Sequence, residues 1–195
     1  MLSEKNIIIE DELAQFEKRA AAFNKDYKTG RNFEVITRQS TKLIVGTGEN
    51  KGLVIGKSDL VLLHQVMGMI HRFYKEELIT PQNYVLKDLK CSGGVQEFIE
   101  TPTLSDLIFF LKGKDDPVFL GQVSEESQSL CKMFLNKEEN SAIDLDSLNK
   151  TDQELYEHST ALAKYGRRTV FAQRNVLVLG QEKDHRIIIA PVDVE

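Results

Sequence analysis

The 195-residue chain carries 25 Lys and Arg against 30 Asp and Glu, a formal net charge of −5, with 41% hydrophobic and 28% charged residues. That is the composition of a globular protein long enough to bury a core without staples, and it excludes both a strongly basic nucleic-acid packing protein and a disordered acidic tail. Two cysteines, Cys91 and Cys131, cannot build a disulfide framework and suit a reducing compartment, so a cytoplasmic protein is expected.

The first predicted element is a helix over Ile9–Tyr27. Its apolar positions, Ile9, Leu13, Phe16, Ala20, Phe23 and Tyr27, recur at spacings of 4, 3, 4, 3 and 4, which is a heptad seam. A seam this short does not hold a coiled coil alone. It needs a surface, either the chain's own core or another copy. Gly30 is the predicted stop.

Three β-rich runs follow, Phe33–Thr37, Lys42–Val45 and Gly52–Ile55, with the glycine-rich segment 46–52 at the tip of a hairpin. Ser58 or Asp59 then caps a long helix to about Leu78, apolar around much of its circumference and stopped by Thr80-Pro81. Tyr84–Leu89 and Val95–Ile99 read as two strands around the turn Cys91-Ser92-Gly93-Gly94. Thr103 caps a short helix to Leu111, Pro117–Val123 reads as a strand, and Ser124 caps a helix to Asn136. After a polar loop over 137–150, Thr151-Asp152-Gln153-Glu154 has the form of a capping box and opens a helix to Tyr165-Gly166. Asn175–Leu179 and Arg186–Ala190 close the chain as a hairpin.

Helices and strands come in groups, which predicts an α+β fold with an antiparallel or mixed sheet, a long central helix and an N-terminal amphipathic helix. The expected division is residues 1–28 as a docking or self-association helix and 29–195 as one α+β domain. The first strand group and the last hairpin are expected to share a sheet.

Catalytic and ligand templates match poorly. Gly52-Leu53-Val54-Ile55-Gly56-Lys57-Ser58 is one residue short of a phosphate-binding loop, and its apolar middle prefers a strand. The 46–52 segment with Lys51 is a weak candidate anion cradle. Asp144, Asp146 and Asp152 mimic part of a calcium loop, but Leu148 and Leu155 stand where oxygen ligands belong. His64 and His71, seven apart on a helix, are too distant to share an ion. Cys91, in a turn with two glycines, is a candidate reactive thiol. No cofactor and no metal are expected.

Lys164, Arg167, Arg168 and Arg174, interleaved with Tyr165 and Phe171, have the residue types of a single-strand nucleic-acid groove. They follow an acidic block: residues 98–157 hold 13 acids and 5 basic residues. No stretch reaches the roughly 18 apolar residues of a membrane span, and the run Ile7-Ile8-Ile9 does not make a secretory leader.

The leading expectation is a non-enzymatic interaction or assembly protein, a homo-oligomer or a subunit of a complex, using the Ile9–Tyr27 seam. The second is a nucleic-acid-binding protein using the 164–174 stretch. The third is a small enzyme with a site near Lys51 or Cys91.

Overall fold

The computed structural model describes residues 4–38, 41–56, 60–164 and 171–193, with side chains from Glu10 onward. The fold is α+β, as expected. The chain forms two compact units, one from residues 1–60 and 89–99, the other from 61–88 and 100–195.

In the first unit, helix α1 (Glu4–Lys28) precedes strands β1 (Phe33–Arg38), β2 (Thr41–Gly46) and β3 (Leu53–Ile55). The helix ends where Gly30, at φ +74°, supplies the left-handed turn. Gly30 N–H then donates to Tyr27 C=O at 3.1 Å, and Arg31 N–H donates to Asp26 C=O at 2.9 Å. Strands β5 (Cys91–Ser92) and β6 (Val95–Glu97) complete a five-stranded antiparallel sheet in the order β1-β2-β3-β6-β5. The register places Val35, Ile44, Ile55 and Val95 in one row across this sheet. On that face Phe33, Ile44, Leu53, Ile55 and Val95 pack with Phe16, Ala20 and Phe23 of α1. Helix α1 is therefore the cover of the sheet and part of its unit.

The second unit opens with helix α2 (Leu60–Lys75, of which Leu60 belongs to the first unit). It buries Leu63, Val66, Met67 and Ile70. It stops before the predicted Pro81 boundary because Glu77, at φ +56°, makes the same kind of left-handed turn that Gly30 makes. Strand β4 (Tyr84–Leu86) does not pair with β6, contrary to the expected hairpin around Cys91. It lies parallel to β8 (Ile187–Pro191), which pairs antiparallel with β7 (Val176–Gln181) in a separate mixed sheet of order β4-β8-β7. The first strand group and the C-terminal hairpin thus occupy different sheets. With a strand on each side, the Ile187-Ile188-Ile189 run is central, and Ile187 and Ile189 are fully buried.

Helices α3 (Leu104–Lys112), α4 (Pro117–Leu120), α5 (Glu125–Leu135) and α6 (Leu145–Ala163) complete the second unit, with α3 against α5 and α6. Thr103 and Ser124 cap α3 and α5 as predicted. Two expectations fail. Pro117–Val123 is no strand. Asp116 accepts the Val118 N–H at 3.0 Å, and Pro117 stands at the first helical position, where its missing N–H costs nothing. Helix α6 starts before Thr151 because Asp144 accepts the Ser147 N–H at 2.8 Å while Ser147 Oγ accepts the Asp144 N–H at 3.1 Å. Thr151 lies inside the helix, fully buried.

Candidate interaction surface

The heptad seam is divided between interior and surface. Phe16, Ala20 and Phe23 are buried within the first unit, whereas Leu13 and Tyr27 are 45% and 39% exposed. The side chain of Ile9 lies outside the described residues. Polar contacts pin the helix in place: Arg19 Nη2 donates to the Lys51 carbonyl at 2.7 Å, and Asn24 Nδ2 donates to the Gly93 carbonyl at 2.8 Å. The buried part of the seam is thus used inside the chain.

The 46–52 segment is a closed corner rather than an open cradle. The N–H groups of Thr47, Asn50 and Lys51 donate to the carbonyls of Asn32, Thr47 and Gly48. Asn50 is buried, and its Nδ2 donates to Asp26 Oδ2 at 2.9 Å; Asn32 Nδ2 donates to the same oxygen at 3.0 Å. These two bonds hold the Asp26 carboxyl below its ordinary range, with Arg31 and Lys25 adding to the effect. A fixed negative charge beside the corner opposes anion binding. Gly46 permits the fold here, since a Cβ on it would lie 2.1 Å from the Asn50 carbonyl oxygen. Of the near match to a phosphate-binding loop, Leu53–Ile55 form β3 in the middle of the sheet, and residues 57–59 lie outside the described residues.

Strand β1 ends the five-stranded sheet, and among the described residues its ladder is with β2 alone. Its outer hydrogen-bonding positions follow from one bond. Thr47 N–H donates to the Asn32 carbonyl at 2.9 Å, so that carbonyl points toward β2. The N–H of the next residue belongs to the same planar peptide and points the opposite way. Backbone groups alternate along a strand, so Phe33, Val35 and Thr37 turn their N–H and C=O groups outward, while Glu34, Ile36 and Arg38 turn theirs toward β2. Val35 is 56% exposed, Glu34 is exposed, and Ile36 and Arg38 are partly so. Tyr27 stacks edge-on against Phe33 at 5.2 Å beside this edge.

In the second unit a chain of buried and half-buried polar groups ties α2, β4 and α6 together. Tyr74 and Tyr84 share a hydrogen bond at 2.6 Å between their hydroxyls, and Tyr84 Oη lies 2.6 Å from His158 Nδ1. Glu154 accepts the N–H groups of Gln82 and Asn83 at 2.7 and 2.8 Å. Its Oε1 is 4.0 Å from His158 Nε2. Burial pushes the Tyr74 hydroxyl up to about 12, moves the Tyr84 hydroxyl further in the same direction, and lowers His158. Both tyrosines therefore stay neutral and act as hydrogen-bonding groups that anchor the lead-in to β4. Thr151 joins them, donating from Oγ1 to the Asn83 carbonyl at 3.3 Å.

The remaining candidates are dispersed. Cys91 is partly exposed in β5 opposite Gln96, and Cys131 is fully buried in α5. His64 is exposed on α2, and His71 Nε2 lies 2.8 Å from Asp88 Oδ1. Asp144 serves as a helix cap, Asp146 pairs with Lys150 at 2.6 Å, and Asp152 accepts from Gln173 Nε2 at 2.6 Å. Among the described residues no cluster of three or more His, Cys, Asp and Glu is placed to hold a metal ion, and no helix is long and apolar enough to cross a membrane. Lys164 and Arg174 are exposed, and Arg167 and Arg168 lie outside the described residues. Of the two aromatics expected to offer stacking faces, Phe171 is buried and Tyr165 lies outside the described residues.

No family model, curated protein or solved structure matches this chain. The β1 edge is not among the candidates legible in the sequence: the alternating faces of Phe33–Arg38, with Glu34 and Arg38 of opposite sign on one of them, mark a strand but not its place in the sheet. The Tyr74–Tyr84–His158 chain has no comparable local signal, because its members come from distant parts of the sequence.

Proposed function

We propose that this chain is a non-enzymatic assembly protein, forming a homo-oligomer or a subunit of a larger complex through the sheet of its first unit. One observation carries the reading: β1 has hydrogen-bonded neighbours on one side among the described residues, and Val35 on it is more than half exposed, at 56%. An open strand edge is a template for another strand, and main-chain pairing along it supplies affinity while side chains set the partner. Residual apolar surface at Leu13 and Tyr27 of α1 adds contact area in the same unit.

The test is mass in solution. Sedimentation velocity on the full chain over a graded concentration series is expected to give a reversible shift above the 22.2 kDa monomer. A monomer at every concentration, with no co-purifying partner in a native extract, overturns the reading.

A further inference from the structure

The charges on β1 identify a partner for its edge. Edge strands in monomeric proteins are usually protected by charge, because an approaching strand must bury it. On β1 the charges have opposite sign and sit symmetrically. Glu34 and Arg38 lie two residues either side of Ile36, on the same face of the strand. Read in the antiparallel direction, the pattern Glu-x-Ile-x-Arg presents its own complement.

We propose that two copies of this chain join edge to edge through β1, antiparallel about a two-fold axis at Ile36, so that Glu34 of each copy faces Arg38 of the other. The inference rests on the assembly reading and adds the partner, the surface and the register.

The backbone permits this register. A two-fold axis perpendicular to the sheet keeps each face on its own side, so residues of like orientation must stand opposite one another. With the axis at Ile36, Val35 stands opposite Thr37 of the second copy, and Thr37 opposite the second Val35. Both residues turn their N–H and C=O groups outward, so each pair exchanges bonds in both directions and the two pairs form four. Ile36 meets its own copy, and Glu34 meets Arg38, at the positions between bonded pairs, where Cα atoms approach to about 4.5 Å and side chains are closest. Ile36 is paired with Leu43 within each chain, so the apolar row runs Leu43, Ile36, Ile36, Leu43 across the joint, with an ion pair on each side. Val35, now 56% exposed, gains a β-branched neighbour in Thr37.

The adjacent register is poorer. With the axis at Val35, Glu34 stands opposite Ile36 of the second copy, and neither charge meets its opposite. The preference is therefore built into side chains as well as into the open edge. An interface of one strand pair buries little area, so the dimer is weak and concentration-dependent.

The test uses the full chain. Val35→Pro removes a donor that points away from β2, so the internal ladder keeps its bonds while the joint loses two of its four. Glu34→Lys places like charges opposite each other twice and is expected to weaken dimerisation about tenfold. Arg38→Glu does the same, and the double variant E34K/R38E restores the wild-type association. Each variant is compared with wild type by sedimentation velocity, with thermal midpoints confirming that it folds. If a single variant fails to fold, recovery in E34K/R38E still decides the register. As an independent readout, I36C in a Cys91→Ser background is expected to form a covalent dimer on mild oxidation, because Ile36 meets its own copy at a distance a disulfide spans. Failure to cross-link overturns the register. A wild-type dimer indifferent to V35P, E34K and R38E overturns this inference and leaves assembly through another surface. A wild-type monomer throughout overturns both.

Discussion

At Glu154 two backbone N–H groups meet one carboxylate, with a histidine 4.0 Å away and two tyrosines beyond it. Two charge-assisted bonds hold the carboxylate, so it stays in place whether or not His158 is charged. His158 is more sensitive. Burial lowers it from the ordinary histidine value of 6.5, while the nearby Glu154 and Glu157 act in the opposite direction. The unfolded chain therefore takes up the proton before the folded one does. Stability contributed by neutral His158 is complete above 6.5 and declines as pH falls from there toward its depressed folded value. The expected result is a thermal midpoint that drops between pH 7.5 and 5. Asparagine offers an oxygen near the position of Nδ1 and cannot titrate, so His158→Asn should flatten that decline. Asp26, Asp144 and Asp184 are held below their ordinary 3.8, so their losses belong to more acid solutions and do not confuse the comparison. Equal slopes for wild type and variant would remove His158 as the cause.

Single elements show how far local chemistry determines structure. Helix α6 begins at Asp144 because its carboxylate accepts the Ser147 N–H and Ser147 returns the contact. Asp144→Ala should cost about 1 kcal/mol. Urea unfolding measures this cost, and hydrogen exchange should show the loss of protection confined to the first turn of α6. The sequence pattern places that first turn at Thr151, for a physical reason. Thr151 and Glu154 have the residue types and spacing of a capping box, and both do bind backbone groups. The groups belong to Gln82 and Asn83, some seventy positions away, and not to their own helix. Where the partner is local, the sequence is readable: Gly30 ends α1, Thr103 and Ser124 start helices, and β1, β2 and β3 lie close to their predicted bounds. Pairing is the part that stayed hidden. Tyr84–Leu86 and Val95–Glu97 look like hairpin partners but join different sheets, since parallel pairing of β4 with β8 leaves no turn signature. The candidate surface was half legible for the same reason. The alternation in Phe33–Arg38 marked a strand, but only the sheet order makes that strand an edge.

At the scale of the whole molecule, the chain leaves the first unit after Leu60, returns at Leu89 and departs again after Ile99. The first unit is thus closed by β5 and β6, which arrive late, and by α1, which arrives first. Phe16, Ala20 and Phe23 cover Leu53 and Val95, and burying each phenylalanine contributes about 1.5–3 kcal/mol. Two such side chains are a large share of the roughly 5–15 kcal/mol that stabilises a typical domain. A chain lacking residues 1–28 should therefore lose hydrogen-exchange protection in β2, β3 and β6, while β7 and β8 of the second unit keep theirs. Retained protection in β3 would show that the sheet stands without its helix. The same deletion should abolish self-association, because β1 has no stable sheet to belong to once its cover is gone. Loss of the dimer on truncation would look like proof that the heptad seam is the interface, yet it follows equally from an uncovered sheet. Point changes at Glu34, Val35 and Arg38 leave the buried seam intact, so they separate an interface made by the strand edge from one made by the helix.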